Sequence, residues 1–100
     1  MQRQGEYLVG DQPTIKCTFR DRAEVATDPT TVTFTMKEPD GTKTTYTYGT
    51  DTELRNDATG VYQTEWPITK EGAHYFEFRG TGTVAAVQDA TFAARAPRTT

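Results

Sequence analysis

Apolar and polar residues alternate with a period of two through most of this chain. Residues 14–20 put Ile15, Cys17 and Phe19 on one side, and residues 31–37 do the same with Val32, Phe34 and Met36. Successive side chains of a pleated strand point to opposite faces, so each run offers one apolar face to a core. Threonines fill the intervening positions, and their β-branch stiffens χ1 in favour of extended backbone. Two strands are predicted here.

Glu38-Pro39-Asp40-Gly41-Thr42 follows the second run. Proline presets φ and glycine accepts positive φ, so this stretch predicts a hairpin turn. The return strand, residues 43–48, sets Tyr46 and Tyr48 on one side and Lys43, Thr45 and Thr47 on the other. Its wet face suggests a sheet edge. Residues 49–60 read as a polar connection anchored by Leu54. Residues 61–66 form the next strand, stopped by Pro67. Lys70-Glu71-Gly72 turns into residues 73–79, where His74, Phe76 and Phe78 share a face. Gly80-Thr81-Gly82 opens another turn, and a last strand is expected from about Asp89 to Arg95 through Phe92 and Ala94. With residues 6–9 as the first strand, seven strands follow at short, regular spacing. No segment carries the i, i+3, i+4, i+7 stripe of a sizeable helix. The pattern predicts an all-β, two-sheet antiparallel sandwich, with a small antiparallel barrel as the competing arrangement.

One hundred residues suffice for one domain and not for two. Residues 7–95 are expected to form it, with residues 1–6 and 96–100 as flexible ends. The chain has 21 threonines, no serine, one histidine and one cysteine. This removes a serine nucleophile, a histidine pair on a metal and an internal disulfide. A net charge of −3 and a pI of about 5.0 argue against nucleic-acid binding, which needs clustered Lys and Arg. No secretory signal and no membrane-length apolar stretch occurs, so synthesis in a cytoplasm is expected.

Two runs carry a family resemblance. One is Asp28-Pro29-Thr30-Thr31-Val32-Thr33-Phe34 followed by Glu38-Pro39-Asp40-Gly41-Thr42. The other is Thr59-Gly60-Val61-Tyr62, then Glu71-Gly72-Ala73-His74-Tyr75-Phe76, then Gly80-Thr81-Gly82. In this order they resemble the small immunoglobulin-like or fibronectin-III-like structural proteins of tailed bacteriophages and prophages, over about residues 7–95. The resemblance implies an immunoglobulin-like β-sandwich of about seven strands. It also implies a virion location, without enzymatic activity or cofactor, as a head-decoration, head–tail or tail-surface accessory protein with capsid or tail proteins as partners. The chain departs from antibody domains: Cys17 lies on the second strand, but Phe76 or Phe78 occupies the place of its disulfide partner, and Trp66 comes later than the antibody tryptophan.

His74 alternates with Phe76 and Phe78, which predicts packing at the core edge rather than base catalysis. Cys17, between Ile15 and Phe19, is expected to be buried and inert. Acidic residues gather in two loops, Asp21, Glu24 and Asp28, then Asp51, Glu53 and Asp57. Neither run has EF-hand spacing, and Arg20, Arg22 and Arg55 lie among them, so solvated loop charge is expected and no metal site is assigned. The five phenylalanines fall on predicted core faces. Tyr46, Tyr48 and Tyr75 are expected to stay partly exposed, and with Thr81 in the Gly80–Gly82 turn they form the candidate interface. Exposed tyrosines also suit a bacterial surface glycan, which makes a host-adhesion module the alternative function. Rows of threonines, such as Thr31, Thr33 and Thr35, are explained by strand propensity.

Overall fold

The computed structural model describes residues 6–98. It contains eight strands: β1 (Glu6–Leu8), β2 (Thr14–Thr18), β3 (Thr31–Lys37), β4 (Lys43–Thr47), β5 (Arg55–Ala58), β6 (Val61–Glu65), β7 (Gly72–Thr81) and β8 (Ala86–Arg95). They form two sheets, one in the order β1-β8-β7-β3-β4 and one in the order β2-β6-β5. Every pairing between these strands is antiparallel except β1 with β8, which is parallel. The expected sandwich is present, with a mixed rather than purely antiparallel larger sheet.

The alternation works as the sequence implies. Ile15 and Cys17 point inward from the small sheet, and Val32, Phe34, Met36 and Phe78 point inward from the large one, all buried. Phe34 centres the filling, with its ring 5.0 Å from Phe78, 6.3 Å from Trp66 and 6.2 Å from Tyr46. Burying an aromatic of this size contributes about 2–3 kcal/mol, so this cluster is a large share of a small domain's stability.

Four expectations about boundaries need correction. The polar stretch 49–60 contains β5, an edge strand with a bulge between Asn56 and Ala58. Its Arg-Asn-Asp-Ala sequence carries no apolar alternation, so pairing with β6 holds it in place rather than a greasy face of its own. β2 ends at Thr18, although Phe19 beyond it is fully buried and donates its N–H to Gly60 O at 2.8 Å. β7 runs on to Thr81 and β8 begins at Ala86, so the turn lies beyond Gly80. Glu6, expected both to open the first strand and to end the flexible segment 1–6, belongs to the strand: it pairs with Ala93 in β1. Residues 1–5 and 99–100 lie outside the described residues. Of the expected tail, Ala96 N–H donates to Glu71 Oε1 at 3.3 Å.

Gly80 is a packing residue, not a turn residue. It pairs with Val32 across β3, and a Cβ there would sit 2.7 Å from the Pro29 ring and 3.0 Å from the Phe19 ring. Just past it, four threonines staple the start of β3 to the β7–β8 turn. Thr31 and Thr81 share a hydroxyl–hydroxyl hydrogen bond, and Thr30 Oγ1 lies 3.1 Å from Thr83 Oγ1 and accepts from Thr83 N–H at 3.2 Å.

Candidate functional site

The thiol of Cys17 and the imidazole of His74 are both buried in the core. Cys17 points into the core from β2, and burial pushes its thiol up to about 11, which keeps it protonated and unreactive at neutral pH. His74 is fully buried on β7. Its ring stacks on Phe92 at 4.7 Å and 10°, and its Nδ1 lies 3.1 Å from Gly72 O, while Nε2 has no hydrogen-bond partner. A carbonyl can only accept, so Nδ1 carries the proton and donates. Cys17 and His74 occupy different sheets and both point into packed filling.

Three of the six loop carboxylates, Asp21, Asp28 and Asp51, act as local staples. Asp21 Oδ1 accepts from Ala23 and Val25 N–H at 2.9 and 3.0 Å, and Asp51 Oδ2 accepts from Thr47 N–H at 2.8 Å. Asp28 Oδ1 accepts from Gly60 N–H at 2.6 Å and Tyr62 hydroxyl at 3.2 Å. Burial first, then the Asp28 charge and hydrogen bond, raise the Tyr62 phenol to about 12. At the β3–β4 turn, Lys70 Nζ bonds Glu38 Oε1 at 3.1 Å and lies 3.7 Å from Asp40 Oδ2. The hydrogen bond to Glu38 is the main cause of the raised Lys70 pKa, and Thr42 N–H holds the Asp40 carboxyl below its usual range.

The four candidate interface residues do not form one patch. Tyr46 faces inward from β4, half-buried, stacked on Phe34 and 6.1 Å from Trp66. Burial, followed by the charges of Glu53 and Asp51, raises its phenol. Tyr48, just past β4, is 45% exposed and held edge-on against Tyr62 at 5.3 Å. Tyr75, 53% exposed, and Thr81 project instead from the outer face of the five-stranded sheet. As expected, β4 is a sheet edge, but a guarded one. Tyr48 N–H bonds Val32 O, so by alternation Lys43, Thr45 and Thr47 direct their backbone groups outward, and Asp51 already takes the Thr47 N–H. A neighbouring chain could pair with only a short stretch beside Lys43, a residue that guards edges.

The outer face of the large sheet holds what sequence reasoning missed. Lys37 lies directly opposite Lys43 across β3 and β4, and Glu77 directly opposite Asp89 across β7 and β8. Between them, Lys37 is opposite Tyr75, Tyr75 opposite Thr91, and Thr35 opposite Glu77. These side chains line a shallow depression of about 340 Å³. The sequence shows the charges, but only the register shows that like charges are neighbours.

No family model matches this chain, and no curated protein matches it in sequence. A solved structure, described as the crystal structure of the Lin-41 filamin domain, is similar in fold. Its TM-score is 0.68 at 16% identity, over 97% of this chain and 89% of that one. The likeness bears on the fold alone: an immunoglobulin-like β-sandwich.

Proposed function

We propose that this chain is a non-enzymatic virion structural protein of tailed bacteriophages, a head-decoration or head–tail accessory domain that docks on a capsid or tail lattice. It would be made in the host cytoplasm and carried in the particle. The resemblance in residues 28–42 and 59–82 motivates the phage assignment. The burial of Cys17 and His74 supports a role without turnover.

The observation that carries the docking role is Tyr48. Its ring is exposed but braced by Tyr62, whose hydroxyl is in turn held by Asp28. A rigid tyrosine loses little freedom on binding and offers apolar area with a polar tip, which suits an interface anchor. Repeated copies on a lattice turn such modest contacts into stable attachment through effective concentration.

Cryo-electron microscopy of particles from the phage or prophage that encodes the chain tests this. The expected result is density for the sandwich at symmetric positions, with the Tyr46–Tyr48 rim against a neighbouring subunit. Purified particles that lack the chain, or carry it with that rim facing open solvent on every copy, overturn it. Binding of the free protein to purified host polysaccharide, lost in Tyr48→Ala, would favour the adhesion alternative.

A further inference from the structure

The charge arrangement on the outer face of the five-stranded sheet is unusual for an isolated domain. Like charges directly opposite one another across a strand pair are destabilising, and this face has two such pairs of opposite sign. Among the described residues Lys37, Lys43 and Asp89 make no salt bridge, and Glu77 reaches only Arg79, at 3.2 Å. Within one copy no salt bridge joins the two pairs among the described residues. Thr35 and Tyr75 stand between them, at opposite corners of the same square of register positions.

Strand spacing of ~4.8 Å and a two-residue repeat of ~6.8 Å fix the plan of this face. The lysine pair and the acidic pair then lie at nearly equal distances on either side of the diagonal that joins Thr35 to Tyr75. A two-fold axis lying along that diagonal, in the plane of contact, maps each pair onto the other. The face is therefore complementary in charge to itself, as an isologous contact requires.

We propose that the outer face of the β4-β3-β7-β8 sheet is a self-association surface. Two copies of this chain pack face to face about that axis, with Lys37 and Lys43 of each copy opposite Glu77 and Asp89 of the other. The two Tyr75 rings meet at the axis, where their exposed area supplies the apolar centre of the contact. A saccharide in the same depression would use the ring and the hydroxyls but would not call for two segregated patches of net charge. The surface is independent of the Tyr46–Tyr48 rim, so the inference stands or falls apart from the lattice reading.

Four strands and two to three rows of side chains cover roughly 300–400 Å² per copy, less than the ~800 Å² of a standard interface. The dimer is accordingly weak and salt-sensitive. Sedimentation of the whole chain at about 20 mM and about 500 mM salt should show association weakened on the order of tenfold at the higher value. Tyr75→Ala should weaken it by a similar factor. Lys37→Glu with Lys43→Glu should give a monomer, and so should Glu77→Lys with Asp89→Lys, while an equimolar mixture of the two proteins restores a dimer. Circular dichroism establishes that each variant folds, and the wild-type salt dependence needs no variant. A wild-type chain that stays monomeric at low salt and high concentration overturns the proposal. So does a dimer indifferent to salt and charge reversal, or a mixture of folded variants that fails to associate.

Discussion

Asp28 and Gly60, 32 residues apart in sequence, are joined by a 2.6 Å hydrogen bond from the glycine N–H to the aspartate Oδ1. The contact ties the β2–β3 loop to the β5–β6 turn, and the same carboxylate oxygen holds the Tyr62 hydroxyl. Charge-assisted bonds of this kind are worth about 1.5–3 kcal/mol each way of counting their loss. Asp28→Ala is expected to cost about 2 kcal/mol in urea denaturation, and Asp28→Asn about half of that, because it keeps the acceptor oxygen. Gly60 itself has φ of +76°, and a Cβ there would lie 2.7 Å from both Phe19 O and Thr27 N. Those atoms are backbone and cannot swing aside, so Gly60→Ala should destabilise by at least ~2 kcal/mol.

Alkaline pH should destabilise this protein over two overlapping ranges. The Cys17 thiol rises from 9.0 to about 11 on folding, and the Tyr62 phenol from 10.0 to about 12. In each interval the folded chain keeps a proton that the unfolded chain has released, so stability falls as pH rises. The loss runs from about pH 9 to 11 for the thiol and about 10 to 12 for the phenol, and at ~1.4 kcal/mol per pKa unit it reaches at most about 3 kcal/mol for each. Denaturation midpoints measured at successive pH values check this. Cys17→Ala should flatten the first part of the decline and Tyr62→Phe the second, whatever constant offset each variant adds.

The sandwich was legible in the chain because the large inward side chains obey period two: Ile15, Cys17, Phe19, Val32, Phe34, Met36 and Phe78 are all buried. His74 was readable for the same reason. β5 was not, since its four residues show no alternation and acquire their place only from β6. Gly80 looked like a turn residue because glycine at a bend and glycine under a proline ring are the same letter. The candidate interface was legible residue by residue and not as a surface. Tyr48 and Tyr75 are both exposed, yet one lies at the sandwich rim and the other on the outer sheet face, which only the strand order decides. The paired lysines and paired acids depend on register in the same way.

His74 separates packing from chemistry in a measurable way. Its ring fills core volume against Phe92, and its Nε2 is buried without a partner. His74→Phe keeps the stacked ring and removes the unsatisfied atom, at the expense of the Gly72 hydrogen bond, so stability should change by less than ~1 kcal/mol. His74→Ala leaves a cavity and should lose about 3 kcal/mol. Thermal unfolding of the two variants checks the pair. A large loss in His74→Phe would show that the imidazole nitrogens carry more than packing.

Tyr46 and Tyr48, two residues apart, should respond in opposite ways to the same truncation. Tyr46 stacks on Phe34 and neighbours Trp66, so Tyr46→Ala removes core area and is expected to cost about 3 kcal/mol. Tyr48 is 45% exposed and rests on Tyr62 by its edge, so Tyr48→Ala should cost less than about 1 kcal/mol. If the rim docks on a lattice, the order reverses for attachment. Tyr48→Ala should fold normally and lose occupancy on the particle, because it removes the ring that a partner would cover. Quantitative mass spectrometry of purified particles, beside urea denaturation of the free proteins, measures both effects. Full occupancy of folded Tyr48→Ala would leave the rim without a docking role.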